Sequence, residues 1–344
     1  MPELKSLADI KNINISKDRQ LFSANEKEIL EGYTTDIYFV RTMDILKKMK
    51  IADKEVTAEI FPRKSGIFVG IDEVYNILKN KNIEIWSLPE GASFERKETV
   101  MRIIGPYEEF GIYETVILGV LASSCGWATA ARECKEACGD KPFIIFGSRH
   151  VHPAVSSVME RAAIIGGASG ASNILAAKLM NMEPSGTLPH ASFLIAGDTL
   201  PVSLAYDEIS PKDHKRIILI DTFKDEVEEA LRIAKALGKN LYAIRLDTPS
   251  ERGGVTIELV REVRASLDME GYGFVKILVS GGLYPEKIKK LKEAGADAFG
   301  IGSYISGASA IDMTMDLKEI EGKPIAKRGR IPGRVENPKL VRLM

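Results

Sequence analysis

Cysteine is scarce in these 344 residues, and the three present, Cys125, Cys134 and Cys138, fall in one Ala-rich stretch. An odd, clustered set lacks the paired spacing of a disulfide scaffold or a CxxC zinc knuckle, so it reads as buried thiols on a helix. Excess charge of either sign is missing too: Lys and Arg number 47 against 48 Asp and Glu, a formal net charge of -1. No global field therefore draws the chain to nucleic acid or to an anionic membrane, and any basic site must be local. No run of about 18 uninterrupted apolar residues occurs, which excludes an obvious transmembrane helix. The opening MPELKSLADIKNINISKDRQ has neither a basic start with an apolar stretch nor a small-residue cleavage site, so the expected location is cytoplasmic. Repeats and low-complexity segments are absent, and histidine occurs only four times.

What is present is enough apolar material, 45% of residues, for a barrel and a smaller satellite domain. Residues 1–115 alternate between short apolar segments and charged turns. VTAEIF at Val56–Phe61 and TVMRII at Thr99–Ile104 read as strands, with a helix over Asp72–Lys79, an α+β pattern. From Glu114 to Ala137 the Ala-rich run suits a buried helix or a kinked pair. Residues 116–311 then change rhythm. PFIIFG (142–147), RIILID (216–221), LYAIRL (241–246), VKILVS (275–280) and AFGIG (298–302) are apolar throughout, and the middle three precede amphipathic segments at 225–237, 257–268 and 285–294. Such strands alternating with helices imply a parallel sheet covered on both faces, closing as an α/β barrel related to the TIM type. Residues 312–344 return to short alternation and are expected to pack back on the first domain.

The chemistry-bearing residues cluster at the predicted strand ends. Gly281-Gly282 follows VKILVS, and Gly302-Ser303 follows AFGIG; glycines at strand-to-helix turns let backbone N–H groups approach an anion, and in such barrels the phosphate site lies at the last two loops. Arg149, in FGSRH, is suited to a carboxylate or phosphate, and Phe146 to stacking on an aromatic ring; the plain alternative is a core Phe and an Arg paired with a structural acid. His190 ends SGTLPH and has a structural alternative as well. Alternation turns Arg245 and Asp247 to one face, where an Asp suits a ribose diol. Asp221 and Asp247 are candidates for Mg²⁺ or ribose hydroxyls, or for helix caps. His150 and His152, two apart in a loop without further Cys or clustered acids, give little support for a metal, so no protein metal site is expected.

FGSRH, GGASGASNILAAK, SGTLPH, LIDT, RLDT, VSGGL and FGIGS occur in the order and spacing of nicotinate phosphoribosyltransferases, and the chain resembles the short archaeal-type branch of that family. The likeness runs from Thr35-Asp36-Ile37-Tyr38 to Lys327-Arg328-Gly329-Arg330-Ile331-Pro332-Gly333, nearly the whole chain. It implies a type II phosphoribosyltransferase fold: an N-terminal α+β domain beside an incomplete, roughly seven-stranded α/β barrel, paired head to tail as a homodimer with shared active sites. Tyr38 of one subunit would then reach the other's site, opposite Phe146. Arg149 and Thr187 match positions near the pyridine, Arg245 and Asp247 positions at the ribose and its phosphate, and Gly281, Gly282, Gly302 and Ser303 the 5′-phosphate loops.

The implied reaction joins nicotinate to phosphoribosyl pyrophosphate with Mg²⁺, coupled to ATP as co-substrate through phosphorylation of His190, in NAD biosynthesis or salvage. Some relatives carry a cysteine-rich zinc knuckle near the C-terminus; no cysteine follows Cys138 here, so no structural zinc is expected. Quinolinate phosphoribosyltransferase shares the fold, but needs extra cations for a second carboxylate. A silent phosphoribosyl-metabolite-binding paralogue would keep the glycine loops without needing His190. A barrel aldolase or isomerase would want a Lys or Glu at a strand's carboxyl end, whereas Lys276 enters its strand at the beginning.

Overall fold

Alternation in the first third builds an antiparallel sheet. In a computed structural model describing residues 4–344, which leaves the first three residues of the opening segment outside the description, VTAEIF lies within the strand Glu55–Pro62. This strand turns Val56, Ala58 and Ile60 to the core and Thr57 and Glu59 to the opposite, polar face, and all five are buried. Glu59 is satisfied there by the Arg102 guanidinium at 2.9 Å and the Val335 N–H at 3.1 Å. Strand order in the six-stranded sheet is Lys323–Pro324, Met313–Ile320, Glu55–Pro62, Met101–Pro106, Glu84–Ser87, Val341–Arg342. The segment expected to return from residue 312 thus supplies Met313–Ile320, with Met315 opposite Ile60. Helix Ile71–Leu78 buries Ile71, Val74 and Leu78. Sequence periodicity missed helix Ile37–Lys48, which buries only Phe39, Val40 and Met43.

The Ala-rich run is one helix, Glu114–Cys138, not a kinked pair. With the turn before it, it is the one span among the described residues, Tyr107–Cys138, long and apolar enough to cross a membrane; 56% of its most apolar window is buried within the protein. Its three thiols are fully buried, and burial pushes each up to about 12, so they are neither paired nor nucleophilic at neutral pH. The chain divides inside this helix. One unit comprises 1–128 and 309–344, the other 129–308, so the division falls at 128/129 rather than at the expected 115/116.

The second unit holds a parallel six-stranded sheet in the order Gly170–Ala171, Phe143–Ile145, Ala298–Ile301, Lys276–Ser280, Leu241–Leu246, Arg216–Leu219. The roughly seven strands expected are therefore six, an open half-barrel. Between its two edge strands the chain runs through helices Ile174–Leu179, His190–Ala196 and Thr199–Ile209 and no further strand. The edge strand Gly170–Ala171 was not foreseen, being too short to show alternation. Arg216–Leu219 is buried at every residue, as expected of a sheet covered on both faces. Each fully buried Phe or Ile here, such as Phe299 or Ile244, contributes roughly 1.5–3 kcal/mol of transfer free energy. Asp225 caps helix Glu226–Leu237 by accepting the Val227 N–H at 3.0 Å, and Thr256 caps Ile257–Met269 by accepting that of Leu259 at 3.1 Å. Each cap contributes about 1 kcal/mol.

Candidate active site at the carboxyl ends of the parallel strands

Parallel strands expose their carboxyl ends on one rim, and the loops leaving that rim converge. Leu241–Leu246 delivers Arg245 and, one residue past its end, Asp247. Arg245 is the hub: Nε donates to the Ser280 hydroxyl at 2.8 Å, Nη1 to Thr187 Oγ1 at 2.7 Å and Nη2 to Asp247 Oδ2 at 2.9 Å. Its guanidinium lies 5.2 Å from the Phe146 ring centroid. Burial pushes the Arg245 pKa down, and the charges of Asp247 and Asp221 oppose that shift. Ser280 donates in turn to Asp247 Oδ1 at 2.8 Å.

A second chain of contacts leaves Asp247. Its N–H donates to Asp221 Oδ2 at 3.0 Å, and the other Asp221 oxygen lies 3.2 Å from His190 Nε2. The Asp221 side chain is inaccessible while His190 is 38% exposed. Burial raises the Asp221 pKa, reinforced by Asp247 and opposed by His190. An ionised Asp221 only accepts hydrogen bonds, so Nε2 must carry the proton and Nδ1 keeps its lone pair. Neither aspartate caps a helix.

All four carboxylate oxygens of this pair already accept hydrogen bonds, and no group of three or more His, Cys, Asp or Glu suited to a metal occurs among the described residues. Each of these oxygens keeps a second lone pair, which a ribose hydroxyl or a substrate-borne Mg²⁺ can use.

The glycine loops are built for close approach. Gly281 and Gly282 have φ of +90° and +58°, and a Cβ on Gly281 would lie 3.1 Å from Asp247 Oδ1. Helix Pro285–Glu293 follows, and on its first turn Lys287 is partly buried, which lowers its pKa; no carboxylate pairs with it among the described residues. At the other loop a Cβ on Gly302 would meet the His150 ring at 2.8 Å. His150 Nδ1 lies 3.0 Å from Ser306 Oγ, and His152 Nδ1 accepts the Ala154 N–H at 3.1 Å as a helix cap, so neither histidine joins a metal cluster. Ser303 opens the four-residue helix Ser303–Ser306.

Arg149 stands apart from this network. It is exposed, and its contact is Nε to His150 Nε2 at 3.4 Å; no carboxylate pairs with it among the described residues. The pairing with a structural acid that would have made it inert is not found. Tyr38 lies in the other unit, on helix Ile37–Lys48, with 55% of its surface exposed. A cavity of about 630 Å³ lies at the opposite rim, where Arg216 is consumed by Asp207 and by the Pro211 and His214 carbonyls. Reading the sequence missed Ser280, Lys287 and the fully buried Glu160; each sits in a run, VSGG, PEKIKK or MERAAI, that looks structural.

An open parallel α/β half-barrel with paired glycine loops, an Arg–Asp hub and a His–Asp pair on its carboxyl rim is a scaffold of phosphoribosyl transfer. The quinolinate phosphoribosyl transferase N-terminal domain model matches residues 36–125 and the C-terminal domain model 127–316, and the chain belongs to this type II phosphoribosyltransferase family. Nicotinate phosphoribosyltransferase pncB1 of Mycobacterium tuberculosis is 30% identical over 248 residues, 70% of this chain and 54% of that protein. The nicotinate phosphoribosyltransferase of Bacillus subtilis is 27% identical over 313 residues, 78% and 62%. The chain thus spans about half to two thirds of the length of these curated relatives. Among solved structures, nicotinate-nucleotide pyrophosphorylase from Pyrococcus furiosus is 44% identical with a TM-score of 0.88, covering 92% of this chain and 82% of that one. Human nicotinic acid phosphoribosyltransferase, 16% identical with a TM-score of 0.65 over 87% and 77%, shares the fold.

Proposed function

We propose that this protein is a nicotinate phosphoribosyltransferase, forming nicotinate mononucleotide and pyrophosphate from nicotinate and phosphoribosyl pyrophosphate. The observation that carries this reading is Arg149, a single guanidinium without an acidic partner among the described residues, three residues beyond Phe146 on the rim that also bears the phosphate loops. One free fork on the rim that also carries Phe146 suits a pyridine with one carboxylate. The relatives named nicotinate phosphoribosyltransferase support the same substrate.

In this reading the pyridine nitrogen attacks the anomeric carbon, whose bond to the pyrophosphate oxygen breaks with both electrons leaving on pyrophosphate. The nitrogen already has a free lone pair, so no base is required. Asp247, held from both sides by Arg245 and Ser280, takes the ribose hydroxyls and faces the positive charge that develops on the sugar. The Gly281-Gly282 turn, Lys287 and the Gly302-Ser303 turn take the 5′-phosphate. Mg²⁺ arrives as part of the phosphoribosyl pyrophosphate substrate rather than as a resident ion. His190 accepts the γ-phosphoryl group of ATP on the Nδ1 lone pair that Asp221 leaves free, ADP departs, and hydrolysis of that phosphohistidine drives synthesis. The working unit is a homodimer in which Tyr38 of one chain completes the other's site. Exposed apolar side chains on the half-barrel unit, Ile174 at 71%, Leu194 at 60% and Ile195 at 88%, supply a surface for it.

The names of the matched family models and of the Pyrococcus furiosus structure favour a second reading, phosphoribosyl transfer to quinolinate with loss of carbon dioxide. It asks for more than one free cation at the ring. The test is incubation with phosphoribosyl pyrophosphate, Mg²⁺ and nicotinate, with and without ATP, and mass identification of the product. Nicotinate mononucleotide formed faster with ATP is expected; no mononucleotide overturns the reading.

A further inference from the structure

Glu160 is fully buried on helix Pro153–Gly166, yet it belongs to no ion pair described at the rim. Its carboxylate gathers hydrogen bonds from two loops. Oε1 accepts the Ser148 N–H at 3.1 Å, the Ser148 hydroxyl at 2.7 Å and the Ser172 hydroxyl at 3.2 Å, and Oε2 accepts the Asn173 N–H at 2.8 Å. Ser148 immediately precedes Arg149 in the turn leaving Phe143–Ile145, and Ser172 and Asn173 leave the neighbouring strand Gly170–Ala171. The same helix closes on that turn through Met159, whose Cε lies 2.6 Å from where a Cβ on Gly147 would be.

Burying a carboxylate among neutral donors is costly, and packing alone would be served as well by an apolar side chain. What the charge adds is rigidity in a turn whose next residue carries an exposed guanidinium on this rim, with no acidic partner among the described residues to hold it. A bidentate fork selects a planar carboxylate only when its base is fixed.

We propose that Glu160 is the positioning residue for Arg149, and through it sets the preference of the site for a pyridine acid over the corresponding amide. The inference rests on the function proposed above. Its test is Glu160→Gln, which keeps the volume but turns an NH₂ group toward backbone or hydroxyl donors. Nicotinate KM should rise about tenfold, the scale on which a mispositioned binding group acts, while KM for phosphoribosyl pyrophosphate stays within about twofold. The nicotinate-to-nicotinamide ratio of kcat/KM should fall with it. A merely structural role would lower the active fraction or shift both KM values together, and that result overturns the proposal.

Ser172→Ala, which removes one of the four hydrogen bonds, should fold even if Glu160→Gln does not, and should move the same ratio in the same direction by a smaller factor. An unmoved ratio in both variants overturns the proposal. Calorimetric binding of nicotinate, which needs no turnover, separates the two claims. Weakened binding in Glu160→Gln beside a wild type that makes no product overturns the function and keeps the positioning role. Undiminished binding overturns the positioning role alone, and a wild type that binds no pyridine acid overturns both.

Discussion

His190 Nε2 stands 3.2 Å from Asp221 Oδ1, and the other oxygen of that inaccessible carboxylate holds the Asp247 N–H at 3.0 Å. One buried aspartate thus orients both the candidate phosphoryl acceptor and the residue assigned to the ribose. Replacing His190 by Ala should abolish ATP stimulation while leaving phosphoribosyl pyrophosphate binding intact. Asp221→Asn can present an N–H to the ring, move the ring proton to Nδ1 and so remove the acceptor lone pair. The phosphoryl incorporation rate should fall by up to about 10⁴-fold, the scale of a wrongly set tautomer. Acid-labile labelling by γ-labelled ATP reads this; undiminished labelling in either variant refutes the assignment.

Phe146 owes its place to a glycine. A Cβ on Gly300 would run into Cε2 of the Phe146 ring, closer than van der Waals contact allows, so Gly300→Ala must displace the ring. Nicotinate KM should rise about tenfold from the misplaced stacking surface, with phosphoribosyl pyrophosphate KM nearly unchanged. Steady-state kinetics with each substrate varied in turn would show it, and equal losses for both substrates would argue against a ring-stacking role.

Glu114 opens the long helix, and burial pushes its carboxyl up to about 7, reinforced by Asp316 and opposed by Lys327. Because the folded value lies above the ordinary 4.5, the native state holds the extra proton between the two; stability is greatest below this window and declines as pH rises through about 7. Glu114→Gln removes the penalty. The variant should gain on the order of 1–3 kcal/mol over wild type at about pH 8.5 and almost nothing at about pH 4.5. Thermal unfolding across that range checks it, and a gain independent of pH would contradict the cause given.

Shared sites make a prediction that mixing can test. Tyr38→Ala and His190→Ala should each lack ATP-stimulated activity alone. Co-refolded one to one, the mixed dimer contains one site with both residues intact, so activity should return to about one quarter of wild type for random pairing in a two-fold assembly. No recovery would place Tyr38 outside the partner's site.

The half-barrel was legible because its strands read as mostly apolar runs between turn signals: LYAIRL became a strand residue for residue. Gly170–Ala171 was not, since two small residues carry no periodicity, and the seventh strand inferred from resemblance is absent from the described sheet. Within the site, Arg245 and Asp247 were placed on one face by alternation alone, and their 2.9 Å contact follows from it. The links through Ser280 and Asp221 join residues 26 to 35 apart in sequence, a distance over which spacing says nothing. Glu160 was invisible for a related reason: on a helix a buried acid and a solvated one look alike until the loops above it are known.

The central claim is transfer of phosphoribose to a pyridine with one carboxylate. One tube decides it: equimolar nicotinate, nicotinamide and quinolinate competing for limiting phosphoribosyl pyrophosphate, with Mg²⁺ and ATP, and products resolved by mass with carbon dioxide trapped. The account predicts nicotinate mononucleotide as the dominant product, derived from nicotinate without release of carbon dioxide. Mononucleotide accompanied by stoichiometric carbon dioxide, or nicotinamide mononucleotide in excess, would contradict it.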